Sequence, residues 1–393
     1  MMARPSVSYG MSLRVTRTLD ARRLTSGAGT VSALSVRSWS TEEWLRSEST
    51  WSALLAESGA DPLFMSWEWL THWWQCYGGT LGRAPHILAF YRGADLVGLA
   101  PLYRRLVIRG GVVLARSVQV IGLAWRDPEP LISEYLDVIA LPTELNTVRI
   151  ACVRVLLEEH TWTELVIGFT AAGEQWRDAF TRRVPARGYY VRDLDHVVSY
   201  QADLGSGFPA YLRELGQSTR RSIWNLRRRL AEQGEVRFES LAAGEIDGGF
   251  GDLNRLHLLR WRKPAFTGQR LAFHTTLAAR LACRGELALS RLRVGGKVVS
   301  VLYDVRKGAR QYNVKMGFDP GVSSRLSLGL IHLGYAMEAA AGRGVVLYDF
   351  LAGLGQTSDY KRYLSQARRQ LSCVQMLRGR LLPSLYRWRD RAR

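Results

Sequence analysis

The run Arg291-Leu-Arg-Val-Gly-Gly-Lys-Val-Val-Ser-Val-Leu-Tyr-Asp-Val-Arg-Lys-Gly-Ala-Arg-Gln-Tyr-Asn-Val-Lys-Met-Gly-Phe-Asp319 decides the fold. Leu292 to Val294 and Val298 to Tyr303 read as strands. They are joined by Gly295-Gly296, a pair that accepts the positive φ of a two-residue hairpin turn. Gln311 to Gly317 reads as a third strand. Leu326 to Ala341 then carries apolar residues at helical spacing with no proline, and Val345 to Phe350 reads as another strand. An edge left open among such strands can hold an extended ligand by backbone hydrogen bonds. A helix N-terminus beside it can hold a phosphate.

Outward from that stretch, 393 residues give room for two domains or one duplicated domain, and 47% apolar residues support packed cores. The 13 tryptophans point to core or groove-lining positions. A net charge of +19 suits an anionic partner and does not by itself choose among a nucleotide, tRNA, an acidic polysaccharide and a membrane surface. Cys76, Cys152, Cys283 and Cys373 are scattered without a C-x-x-C pair, so reduced thiols are expected, with no metal site and no disulfide framework. No apolar run is long enough to predict a spanning helix. Residues 1–35 carry Arg, Ser and Thr but no continuous apolar segment. They read as a disordered basic extension or an overlong start, not a secretory signal.

Along the rest of the chain, a helix is expected from Thr41 to about Glu57. A short aromatic helix capped by Ser66 covers Trp67 to Trp74 and ends at Gly78-Gly79. Strands and helices then alternate to Tyr200. The second half opens with a helix near Phe208 and a basic helix from Ser218 to Gln233. It closes with a strand, Gln370 to Leu377, and a basic tail. Leu88 to Tyr103 matches Leu289 to Tyr303 in pattern: strand, glycine turn, strand, ending in Leu-Tyr. A fold duplicated once accounts for that echo.

Phe64-Met-Ser-Trp-Glu-Trp-Leu-Thr-His-Trp-Trp-Gln-Cys-Tyr-Gly78 resembles the aromatic signature of the CelD-like, cellulose-biosynthesis-associated branch of the GNAT acyltransferase superfamily, which is related to the Fem-type transferases. Gly98 to Tyr103, Ser133 to Asp137, Arg227 to Glu239, Leu256 to Trp261, Phe273-His274 and Asp349 to Gly353 with Tyr360-Lys361 fit the same branch. The resemblance implies an α/β (α+β) chain of two tandem GNAT-like lobes, each a mixed, mostly antiparallel sheet flanked by helices. The expected boundaries are 1–35 for the extension, 36–200 and 201–378 for the lobes, and 379–393 for the tail. One departure stands out. The branch often has Ser-Pro-Gly at the start of the helix after the acceptor strand, where this chain has Ser327-Leu328-Gly329.

The resemblance implies transfer of an acetyl or other acyl group from acyl-CoA, as co-substrate, to an amine or hydroxyl of a sugar or polysaccharide precursor. Arg325, Ser327 and Gly329 are the candidates for CoA phosphates at the helix start. Tyr312 and Asn313 lie on the strand expected to face the acyl group. His274 and His257 are candidate bases, because acyl transfer to an amine needs a group that takes the ammonium proton near neutrality. Asp349, at a strand end, is a second candidate for that proton. Tyr360 is the candidate acid for the leaving thiolate. Trp67, Trp69, Trp73, Trp74, Arg260 and Lys361 are candidates for binding the acceptor, the tryptophans from a groove. Two further readings stay open: a Fem-type transferase using aminoacyl-tRNA, and a non-catalytic membrane-surface or assembly protein. Apart from tRNA, no nucleic-acid motif is present. The expected location is cytoplasmic, with contact to the inner membrane face through the basic segments.

Overall fold

The structure is a computed structural model that describes residues 16–18, 34–81, 84–127, 131, 133–184, 188–322, 326–353 and 359–392. The chain divides into two units, residues 1–194 with 373–393, and residues 195–372. Each is a mixed, mostly antiparallel sheet flanked by helices, the GNAT-like arrangement.

The first unit contains β1 (Thr16–Thr18), β2 (Leu34–Trp39), α1 (Thr41–Leu45), α2 (Glu48–Glu57), α3 (Trp67–Leu81), β3 (Ala84–Arg92), β4 (Asp95–Arg109), β5 (Val113–Val120), β6 (Ile139–Ala140), α4 (Leu145–Glu158), β7 (Glu164–Thr170), α5 (Gly173–Thr181) and the start of β8 (Tyr189–Asp203). Antiparallel pairing runs from β1 through β5, and β5 then pairs in parallel with β7. Ser40 opens α1 with a capping box, accepting from the Glu43 amide while the Glu43 carboxylate accepts from the Ser40 amide. The single helix expected over 41–57 is broken at Arg46-Ser47. In contrast, α3 runs through Gly78-Gly79, where a stop was expected. A Cβ on Gly78 would lie 2.6 Å from the Trp74 ring, so this glycine makes room for an indole and does not end the helix.

The second unit holds the rest of β8, then α6 (Phe208–Glu214), α7 (Gln217–Ala231), β9 (Val236–Ser240), α8 (Ile246–Trp261), α9 (Gly268–Cys283), β10 (Leu287–Val294), β11 (Lys297–Lys307), β12 (Arg310–Phe318), α10 (Leu328–Gly342), β13 (Leu347–Asp349), α11 (Asp359–Tyr363) and the start of β14 (Ala367–Arg378). Its strand order is β8-β13-β12-β11-β10-β9, with only β12 and β13 parallel. Gly295 and Gly296 take φ of 54° and 80° in the β10–β11 turn, as expected of a hairpin pair. The hairpin β3–β4 repeats β10–β11, including one register shift in each, and the second strand of each carries a fully buried tyrosine, Tyr103 or Tyr303.

Two expectations at the chain ends change. Thr16–Thr18 pairs with β2 inside the extension taken as disordered, and the rest of 1–33 lies outside the described residues. The basic tail is a helix, α12 (Leu381–Arg391), packed on the first unit through Leu382 and Tyr386. Its anchor is Asp390. The carboxylate accepts both Nε and Nη2 of Arg192 at 2.6 Å and the Tyr190 hydroxyl at 3.0 Å. Arg192 also donates to Gln375, which donates to Glu164 in its bidentate pair with Arg109. Among the described residues no helix is long and apolar enough to cross a membrane.

In the second unit α8 lies close on β12. A Cβ on Gly317 would sit 2.9 Å from the Leu253 carbonyl oxygen, a backbone atom that cannot swing away. Gly317→Ala is therefore expected to destabilise this unit by about 1–3 kcal/mol. Thermal unfolding should show a Tm lower by about 2–4 °C per kcal/mol. An unchanged Tm would contradict this close approach.

Candidate functional site

The β12–β13 ladder is short. It pairs Arg310 with Leu347, Gln311 with Tyr348 and Tyr312 with Asp349, and ends there. On its other side β12 stays paired with β11 out to Phe318. Among the described residues, β12 has no strand partner on the β13 side from Asn313 to Phe318. The two strands thus form a fork.

Three features hold the fork open. The β11–β12 register skips Val314, which stands as a bulge between the pairs Tyr303–Lys315 and Asp304–Asn313 and bends the strand. Beyond β13, Leu351 adopts a left-handed φ of 54°, and its amide donates to Asp349 at 2.9 Å. Lys361 of α11 then donates to the carbonyls of Phe350 and Leu351, both at 2.8 Å. That ammonium holds the outgoing loop.

Polar networks lie on both faces of the sheet at the fork. Gln311 and Asn313 alternate with Tyr312 and share a face with Asp304. The fully buried Asp304 accepts from Gln311 and Asn313 at 2.8 Å and from the Tyr348 hydroxyl at 2.5 Å. Burial pushes its carboxyl up to about 6 against the opposing effect of those three donors. On the other face Asp349, in register with Tyr312 and Gln201, accepts from Ser199 and Gln201 at 2.8 Å, with Arg310 at 3.8 Å.

Past the fork, α10 covers the free part of β12. A Cβ on Gly329 would lie 2.8 Å from Met316 Cε and 3.1 Å from the Phe318 ring, so glycine here allows the helix start to reach the strand. Ser327 is the exposed N-cap, and its side chain makes no capping bond. The Leu328 amide donates to the Leu326 carbonyl at 3.1 Å, so of the first-turn amides those of Gly329 and Leu330 have no intrahelical acceptor and suit an anion. Arg260 stacks 4.0 Å over the Phe318 ring. Tyr360 retains 38% of its surface. Crowding raises its phenol, Arg260 works against that rise, and Asp304 adds to it. Lys315 is pushed down to about 8 by burial and by Arg270, Lys263 and Lys361. His257 is buried, and its Nδ1 donates to the Lys263 carbonyl at 2.7 Å. That bond fixes the tautomer with the lone pair on Nε2, a buried atom without a hydrogen-bond partner among the described residues. Burial, followed by Lys315, Lys263 and Arg260, lowers the His257 pKa, and only the Lys263 carbonyl opposes them.

The fork and its surroundings therefore gather Tyr312, Asn313, Ser327, Gly329, Asp349, Tyr360, Lys361 and Arg260 from the sequence-derived candidates. Arg325 lies outside the described residues. His274 is buried in an aromatic cluster, its ring 4.1 Å from Phe266 and 5.5 Å, edge-on, from Tyr303. Trp69 and Trp73 are buried in the first unit, and Trp69 donates to Ser133 at 2.8 Å. Trp67 and Trp74 are half-buried, Trp67 donating to the Trp44 carbonyl at 2.9 Å and Trp74 packing on Trp44 and Tyr103. Asp304, Tyr348, Gln311 and Lys315 were missed. The available signal was a carboxylate in the middle of the apolar run Val301 to Val305.

Residues 217–362 match the family model described as Acetyltransferase (GNAT) domain. No curated protein matches the chain in sequence. Among solved structures, FemX is similar at 10% identity and TM-score 0.55, over 83% of this chain and 95% of FemX. A conserved protein of unknown function from Bacteroides thetaiotaomicron is similar at 12% identity and TM-score 0.50, over 85% of this chain and 97% of that one. The C-terminal DUF2156 domain assigned to a lysylphosphatidylglycerol synthetase from Agrobacterium fabrum is similar at 10% identity and TM-score 0.51, over 90% and 96%. At such identities the likeness is one of fold.

The Asp304 carboxyl gives a pH signature. Its folded pKa of about 6 stands above the ordinary 3.8. Below about pH 4 both states are protonated and nothing is lost. Between about 4 and 6 the folded chain holds a proton that the unfolded chain has released, so stability falls as pH rises, by about 3 kcal/mol in total. Urea unfolding is expected to show this loss in the wild type relative to Asp304→Asn. Parallel pH profiles for the two proteins would contradict it.

Proposed function

We propose that residues 195–372 transfer an acyl group from acyl-CoA to an amine or hydroxyl acceptor at the β12–β13 fork. The observation that carries this is the unpaired edge of β12 from Asn313 to Phe318, with the start of α10 packed against it. Free strand N–H and C=O groups suit the amides of a pantetheine arm. The α10 amides and Ser327 suit its pyrophosphate.

In this reading His257 Nε2 takes the proton of the acceptor. The acceptor nitrogen or oxygen attacks the thioester carbonyl, its bond to carbon forms, and the C–S bond breaks. Tyr360 gives its phenolic proton to the departing thiolate. His257, whose lone pair the Lys263 bond leaves on Nε2, is preferred to His274. Asp304 and Tyr348 hold β11, β12 and β13 in place, while Asp349 and Lys361 fix the loop after β13. The acceptor is a sugar or polysaccharide precursor, as the resemblance to the CelD-like branch implies. The charge of +19 and the FemX-like fold favour a second donor, aminoacyl-tRNA, at the same site.

Calorimetric titration with acetyl-CoA, followed by release of free thiol with amino-sugar and nucleotide-sugar acceptors, tests the proposal. Binding is expected, with His257→Gln lowering kcat by about 100-fold or more and leaving the KM for acetyl-CoA unchanged. The wild-type rate should fall on the acid side as the imidazole takes up a proton. No binding at a millimolar dose, or a wild-type rate in His257→Gln, would overturn it. Steeply salt-dependent filter binding of tRNA without acetyl-CoA binding would move the donor to the second reading.

A further inference from the structure

We infer that the first unit carries a docking surface for an anionic phospholipid bilayer, built from the tip of the β4–β5 hairpin and from α12. The hairpin is apolar where soluble hairpins are polar. Ile108 stands directly opposite Leu114, both outward, at 66% and 62% exposure. Val112, next to the Gly110-Gly111 turn, is 83% exposed. The alternate residues Val107 and Ala115 face the other way and pack against Leu382 and Tyr386 of α12. The hairpin is thus fixed from one side and bare on the other.

The helix repeats this division. Leu382 and Tyr386 are buried, whereas Leu381, Leu385 and Trp388 follow at i, i+4 and i+7 on another face. Leu381 and Trp388 are 73% and 71% exposed. Leu385 reaches the hairpin turn, with Cδ2 3.0 Å from the position of a Cβ on Gly110, so the stripe and the tip adjoin. The salt-bridged anchor Asp390–Arg192 holds the helix in this position.

The charge around this surface selects the partner. Arg116, opposite Leu106 on the hairpin, Arg380 at the N-cap of α12, and Arg389 and Arg391 within it are exposed, and among the described residues no carboxylate engages them. Protruding aliphatic tips, an exposed tryptophan and unpaired guanidiniums together fit a headgroup interface, where side chains of the first kind enter the acyl boundary and the arginines meet phosphates. A protein partner would need a broad complementary patch, whereas a bilayer needs only these tips. The surface lies wholly in the first unit and uses no residue of the fork.

Flotation of the full chain with phosphatidylcholine vesicles containing about 30% phosphatidylglycerol tests the inference. The wild type is expected to float with them and to bind pure phosphatidylcholine at least about tenfold more weakly. Val112→Asp combined with Trp388→Asp should weaken binding to the anionic vesicles by at least about tenfold without shifting the unfolding transition. Arg389→Ala with Arg391→Ala should weaken it in a way that added salt mimics in the wild type. Absence of wild-type flotation, equal binding to neutral vesicles, or undiminished binding of the Val112/Trp388 variant would overturn the inference. A wild-type dimer lost in that variant, with no vesicle binding, would overturn it too and assign the surface to a second copy.

Discussion

A strand that loses its partner on one side only is the constraint on which the rest of this site depends. Backbone N–H and C=O groups must be paired or solvated, and leaving a row of them open inside a sheet is tolerated only where something else will meet them. β12 is in that condition from Asn313 to Phe318. Its divergence from β13 is enforced locally, by the extra residue Val314 on one side and by the left-handed Leu351, Asp349 and Lys361 on the other. Each is a polar or backbone device buried at a cost that only a retained geometry offsets.

The internal duplication sharpens the point. In the first unit β5 also pairs in parallel with its neighbour, Ser117 to Gln119 against Glu164 to Val166. There the pairing comes at the end of the strand, which stops at Val120. In the second unit it comes at the beginning, and six residues of strand run on. Among the described residues, the same topology therefore leaves the part of β12 after the ladder without a partner in the second copy, whereas in the first copy the residues without a β7 partner, Val113 to Arg116, come before it. The second copy also carries a fully buried histidine. His332, pushed down to about 3 by burial, is held neutral between Ser290 and Ser300 under the sheet. This arrangement fastens α10 to β10 and β11, and so positions the helix start over β12.

Much of this architecture could be read from the chain. The Gly295-Gly296 hairpin, the helix after it and the short strand at Tyr348-Asp349 follow from spacing and turn chemistry. Asp349, Tyr360, Lys361 and Ser327 could be named because they stand at the ends of elements, where local pattern is informative. Asp304 was hidden, since its role depends on a bulge in the facing strand that brings Asn313 opposite it. The histidines illustrate the same limit. His257 and His274 both lie on buried helix faces, and the position of the Lys263 carbonyl, which fixes the His257 tautomer, cannot be read from spacing. The large apolar area that makes tryptophan suitable for a ligand also drives Trp69 and Trp73 into the core.

The most direct measurement is amide hydrogen exchange along Asn313 to Phe318, with and without acetyl-CoA. If the edge of β12 receives a pantetheine arm, the amides on that edge exchange readily in the free protein and slow on addition of the thioester, while those bonded to β11 change little. Protection that is already complete without ligand, or exchange there that acetyl-CoA leaves untouched, would contradict the open edge and the transfer built on it.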